Sequence, residues 1–210
     1  MRRELHVRFC EGGGVRFPSA TRRNVYVSSK RAGERVMEAL RGLYADLRLR
    51  VNEAKSAVAR PQDRKFLGYS FWIGPGKTIK RRVAPKALAT MKDKVRQITG
   101  RNGGRSLSSV VAELRGYLVG WKEYFKLADT PRIFRDLDGW IRHRLRTVQL
   151  KQWKRGTTIF RELRARGMSV RTAAQVAAGA RRWCHNARLS IHIALPNAYF
   201  DALGLPRLAA

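Results

Sequence analysis

Apolar positions in this chain first alternate and then recur at helical spacing. Asn24-Val25-Tyr26-Val27-Ser28 alternates, with Val25 and Val27 on one face, and predicts a short strand. Ser29 is placed to cap a helix over about 30–47, marked by Val36, Met37, Leu40, Leu43, Tyr44 and Leu47. Leu47, Leu49 and Val51 alternate with Arg48 and Arg50, which predicts a strand ending near Asn52-Glu53. Lys65 to Ile73 (KFLGYSFWI) predicts another strand. Gly74-Pro75-Gly76 then turns the chain, and Lys77 to Val83 returns as the second arm of a hairpin.

From Pro85 the helical period takes over. Leu88, Met91, Val95 and Ile98 share a face, and a glycine-rich basic loop, GRNGGR, follows at 100–105. Leu107, Val110, Val111, Leu114, Tyr117, Leu118, Trp121 and Phe125 mark the next helix. Ser109, Ala112, Gly116 and Gly120 lie on its other side, where another backbone can come close, either a neighbouring helix or RNA. Ala128-Asp129-Thr130-Pro131 reads as a turn in which Thr130 caps a second helix and Pro131 takes its first position. In that helix Ile133, Phe134, Leu137, Trp140, Ile141 and Val148 share one face. At about 100° per residue, Arg132, Arg135, Arg142 and Arg146 fall opposite, so the expected arrangement is apolar in, arginine out.

A short helix is expected from Thr157 to Arg166, stopped by Gly167. Ser169 caps the next, in which Val170, Ala173, Val176, Ala177, Ala180 and Trp183 recur and Arg181 and Arg182 lie near the end. ALPNAYFDALGLPRL closes the chain with a small apolar turn of helix. Residues 1–22 show no sustained period and predict an irregular arm. Glu11-Gly12-Gly13-Gly14 lacks the following Lys-Ser or Lys-Thr of a phosphate-binding loop. The fold class is therefore α+β and mostly helical. It divides into an unmatched arm (1–23), a strand-containing part (24–83), a helical part (84–155) and a basic helical tail (156–210).

Charge narrows the partners. Lys plus Arg total 45 against 15 Asp plus Glu, a formal net charge of +30 over 210 residues. Such a field draws polyanions, and guanidinium groups suit phosphate because they donate in pairs. A membrane surface would need a free apolar face on a basic helix, and these apolar faces are better used against each other, so no membrane partner is expected. Cys10 and Cys184 are too few for a disulfide framework, and with no apolar run long enough for a signal or a span, the cytoplasm is the expected location. Cys184-His185 has no CxxC or HxxxH partner for zinc. His143, between arginines, reads as a surface or RNA-facing residue. Trp121, Phe125 and Trp140 read as core, and Trp153 as a residue free to stack on a base.

GYLVGWKEYF, a turn, IFRDLDGWIRHRLR and QWK resemble the maturase-specific (thumb, or X) domain of group II intron reverse transcriptases. In that family the domain grips intron RNA and helps it fold for splicing. The resemblance implies RNA contacts from Lys122, Lys126, Arg132, Arg135, Arg142 and Arg146. Upstream, NVYVSSKRAGERV, VNEAKSAV and FLGYSF resemble the rear half of a reverse transcriptase palm, so the likeness covers roughly residues 24–205. The tail resembles the region of some group II intron proteins to which DNA contact is assigned.

The chain departs from the family where polymerase chemistry needs adjacent aspartates to hold Mg²⁺. Ser19-Ala20-Thr21-Arg22 stands at that turn, and no Asp precedes Asp46. No catalytic residue, metal site or cofactor is therefore expected in this chain, whereas the intact family enzyme would use Mg²⁺. Lys55 matches a palm lysine near the incoming nucleotide and is left with a phosphate contact. The resemblance implies a C-terminal remnant of a longer enzyme with an unpaired sheet edge. Three readings remain open: a maturase-type binder of group II intron RNA, an RNA-directed DNA polymerase active only with an N-terminal half supplied in trans, and a decayed, non-selective polyanion binder.

Overall fold

The computed structural model describes residues 5–9, 11–12, 23–53, 55–101, 103–188 and 190–209. Cys10, Gly13-Gly14 and the Ser19-Ala20-Thr21-Arg22 turn lie outside them. The fold is α+β and mostly helical, in two compact units, Met1–Ala84 and Pro85–Ala210.

The N-terminal unit is built on an antiparallel sheet in the order β3-β1-β5, from β1 (Leu5–Phe9), β3 (Arg23–Val27) and β5 (Ala57–Ala59). Leu5 lies opposite Val27, and His6 opposite both Tyr26 and Ala59. The expected irregular arm is thus corrected, because Leu5, Val7 and Phe9 alternate with His6 and Arg8 and this short run forms the middle strand. β1 lies between β3 and β5, which are the outer strands of this sheet.

Helix α1 (Lys30–Asp46) is capped by Ser29, whose side chain accepts from the Ala32 N–H at 3.2 Å. Its Met37 and Tyr44 form a small core with Val25, Val27, Leu40, Val51 and Val58. The strand expected from Leu47 shrinks to β4 (Arg50–Val51), which pairs with β2 (Glu11–Gly12). Arg48, at φ 54°, turns the chain in the left-handed region, and Leu47 and Leu49 stay exposed.

The strand expected over 65–73 is likewise two strands, β6 (Lys65–Phe66) and β7 (Tyr69–Ile73). Leu67 and Gly68 between them have φ of 47° and 76°, the left-handed pair that reverses a two-residue hairpin. β7 continues to β8 (Ile79–Val83) through the expected Gly-Pro-Gly turn, closed by the Gly74 N–H donating to the Thr78 carbonyl at 2.8 Å.

The C-terminal unit is helical. Helix α2 (Pro85–Ile98) buries Met91, Val95 and Ile98. Helix α3 (Leu107–Tyr124) starts at Ser106, whose Oγ accepts from the Ser109 N–H, and buries Val111, Leu114 and Leu118 completely. Helix α4 (Pro131–Trp153) begins at Pro131 as expected, but the Thr130 hydroxyl makes no capping bond and is buried without a partner.

Helix α5 (Gly156–Ala165) ends before Gly167, at φ 82°, and Ser169 caps α6 (Val170–Ala178). The next correction falls here. Helix α6 stops at Gly179 rather than running on to Trp183, and Trp183 instead opens α7 (Trp183–Asn186). Asn186 makes the break, because its side-chain amide donates to the carbonyls of Val176 and Gly179 at 3.0 and 2.8 Å. The chain closes with α8 (Ile191–Ala194) and α9 (Asn197–Ala202), which bury Ile191 and Phe200.

Candidate nucleic-acid interface

The turn between α3 and α4 gathers Lys122, Lys126, Arg132 and Arg135 around one corner of the unit. Arg132 and Arg135 are exposed and, among the described residues, hold no hydrogen bond or ion pair. Arg132 rides on the first turn of α4, where the helix dipole is positive and no acidic residue stands, and Arg135 follows on the second, next to Asp136. Lys126 is exposed and shares a surface pair with Glu123 at 3.2 Å, a contact of small energy that an incoming phosphate can displace. Lys122 is half-buried and donates to the Arg207 carbonyl at 2.9 Å, so it ties α3 to the tail.

Arg142 and Arg146 overturn the arginine-out expectation. Arg142 is 2% exposed and Arg146 9%. Arg142 donates to Asp138 Oδ1 at 3.1 Å and to Asp201 Oδ1 at 2.7 Å. Arg146 donates to the Leu195 carbonyl and to Asn197 Oδ1, both at 2.9 Å, with its guanidinium 5.5 Å from the Phe200 ring. The periodicity found the right face of α4, but the C-terminal tail covers that face, so both arginines hold the tail down and neither faces solvent. Asp138 completes the anchor by accepting from the Leu208 and Ala209 N–H groups at 3.0 Å. Arg207, and then Arg142, hold the Asp201 carboxyl below its usual range.

Other expected contacts move inward for the same reason. Trp153 is buried, with the Arg166 guanidinium 5.1 Å from its ring, and is not free to stack on a base. Trp140 is half-buried rather than core, ringed by Lys92, Arg96 and Arg144 at 5.5 to 6.0 Å. His143 is half-buried, with Nδ1 3.3 Å from the Ala187 carbonyl. Burial, and then the charges of Arg188, Arg146 and Arg144, push its pKa down.

Ser109, Ala112, Gly116 and Gly120 remain exposed, and a Cβ at either glycine would meet nothing, so no described helix of the C-terminal unit packs there. Lys55 belongs to the N-terminal unit, where it is exposed and its backbone N–H donates to Asn52. No three His, Cys, Asp or Glu side chains gather into a metal site among the described residues, and no described helix is long and apolar enough to cross a membrane. Sequence reasoning missed Arg96 and Arg144. Their signal was a spacing from Trp140 that only the packing of α2 on α4 brings together.

None of the curated proteins matches this chain. The model of one protein family does match, that of the group II intron, maturase-specific domain, over residues 88–167. That span holds nearly all of α2, all of α3 through α5, and the free corner with Lys126, Arg132 and Arg135. Residues 88–167, with the buried face of α3 and the basic α4, are thus similar to the group II intron, maturase-specific domain.

Proposed function

We propose that the C-terminal unit binds structured group II intron RNA and stabilises its folded form for splicing. The observation that supports this most is the unpartnered Arg132–Arg135 pair on the first turns of α4, inside the matched span. The net charge of +30 draws RNA to the surface, and two free guanidinium groups beside a positive helix end then hold phosphate oxygens. Lys126 extends the same surface. Arg142 and Arg146 contribute by keeping the tail against α4, which leaves the α3–α4 corner rigid. A rigid corner favours a folded RNA over an unfolded one, because only the folded form presents phosphates at fixed separations. The palm resemblance supports reading the chain as a relative of reverse transcriptases, and DNA contact by the tail belongs to that same reading.

The test is binding to a group II intron RNA from the same genome at physiological salt, against excess transfer RNA. Binding that survives the competitor and accelerates splicing of that intron is the expected result. Binding erased by transfer RNA would mean a non-selective polyanion binder.

A further inference from the structure

A cavity of about 470 Å³ is walled by Arg101, Gly103 and Arg105, the end of α2, α4 and α7. Arg101, Arg105, Arg144 and Lys151 line it with Thr99 and Trp183, and no carboxylate does. Arg144 and Lys151 are two turns, about 10 Å, apart along one face of α4.

The contacts of these cations with the described residues are mostly with neutral groups. Arg144 Nε donates to Thr99 Oγ1 at 2.7 Å. Arg101 Cζ and Lys151 Nζ lie 5.8 and 5.4 Å from the Trp183 ring centroid. Arg105 meets a carboxylate, Glu113, and its backbone carbonyl accepts from Gln152 at 2.9 Å. Burial, and then the charges of Arg101 and Arg96, make the charged form of Arg144 less favourable. The Trp183 indole N–H is buried without an acceptor. Four cationic side chains around a cavity whose described lining holds no carboxylate suit an anion from outside. The volume is within the range of small-ligand pockets and exceeds what one phosphate group fills. Indole and guanidinium planes are the surfaces on which bases stack.

We propose that this cavity takes a single nucleotide, its phosphate held by Arg101, Arg144 and Lys151 and its base against the Trp183–Arg101 wall. The inference rests on the RNA-binding reading only for the source of that nucleotide. Arg101 is the residue to vary, since it is exposed and its further hydrogen bond among the described residues is to Cys184 Sγ, at 3.5 Å.

The indole N–H resonance of Trp183 in the full chain, assigned with Trp183→Phe, is followed while AMP, adenosine or inorganic phosphate is added. A saturable shift with AMP is expected, with affinity about ten-fold weaker in Arg101→Gln and Lys151→Gln and for either fragment alone. A short adenine oligoribonucleotide that shifts the resonance at lower concentration than AMP assigns the nucleotide to RNA, and the reverse order assigns it to a free nucleotide. No saturable shift with AMP overturns the proposal. So does an equal response to inorganic phosphate, which would leave an adventitious ion only. Intron-RNA binding measured on the same samples separates the two readings. RNA binding without an AMP response sinks the pocket alone, and an AMP response without RNA binding sinks the RNA-binding reading alone.

Discussion

Arg142 has two carboxylate partners, yet its Nε is buried without an acceptor. Its side chain therefore depends on the tail for its charge balance, and the tail depends on it. Arg142→Ala removes the guanidinium that joins Asp138 to Asp201, leaving Asp201 to Arg207 and Asp138 to the Leu208 and Ala209 N–H groups, and urea denaturation should show a loss of about 3 kcal/mol. An unchanged midpoint would mean that the pairing contributes little. Thr130 gives the opposite sign. Its buried hydroxyl has no partner, so Thr130→Val, which keeps the shape, should raise stability by about 1 kcal/mol in the same assay.

His143 carries a pH signature. Its folded pKa lies below the ordinary 6.5, so the unfolded chain binds more protons across that interval. The stability contributed by neutral His143 is complete above pH 6.5 and is lost as pH falls through that value to the depressed one. Urea midpoints should fall between pH 7.5 and 5.5, and His143→Gln should flatten the slope. The depressed Asp201 carboxyl acts lower, with stability lost only as pH drops beneath the usual carboxylate range. At this scale the sequence revealed the face of each residue on α4. It did not reveal solvent exposure, because exposure there is decided by residues fifty positions downstream, such as Asp201 and Asn197.

At the scale of elements, boundaries set by strong local chemistry were legible and those set by packing were not. Ser29, Ser106 and Ser169 all accept from the N–H group three residues on, and Gly167 stops α5 in the left-handed region. KFLGYSFWI read as one strand because Leu67 keeps the apolar pattern while its backbone turns. LHVRF is a weak strand signal in sequence, because only five residues alternate and a glycine run follows.

Close approach between elements was invisible in sequence. Gly156 opens α5 against α6, and a Cβ there would sit 2.8 Å from the Ala177 carbonyl oxygen. Gly156→Ala must push the two helices apart, which should cost about 1–3 kcal/mol by thermal or urea unfolding. Gly116→Ala on α3 meets open space, removes a flexible residue from a helix, and should stabilise by a few tenths to about 1 kcal/mol.

On the scale of the whole molecule, charge and the maturase-like motifs pointed to intron RNA before any coordinates, and the family match falls on the helices that carry those motifs. The structure changes which cations are available to meet it. Of the arginines on the outer face of α4, Arg132 and Arg135 are free, while Arg142 and Arg146 are structural. A periodicity argument treats the four alike, whereas the fold splits them two and two.

The salt dependence of intron-RNA affinity tests that split most directly. Each phosphate contact adds roughly 0.7–0.9 to the slope of log affinity against log salt. The Arg132→Gln/Arg135→Gln double variant should lose roughly 1.4–1.8 from that slope while unfolding at the same urea concentration as the parent chain. An unchanged slope, with affinity intact, would contradict the assignment of RNA contact to the α3–α4 corner.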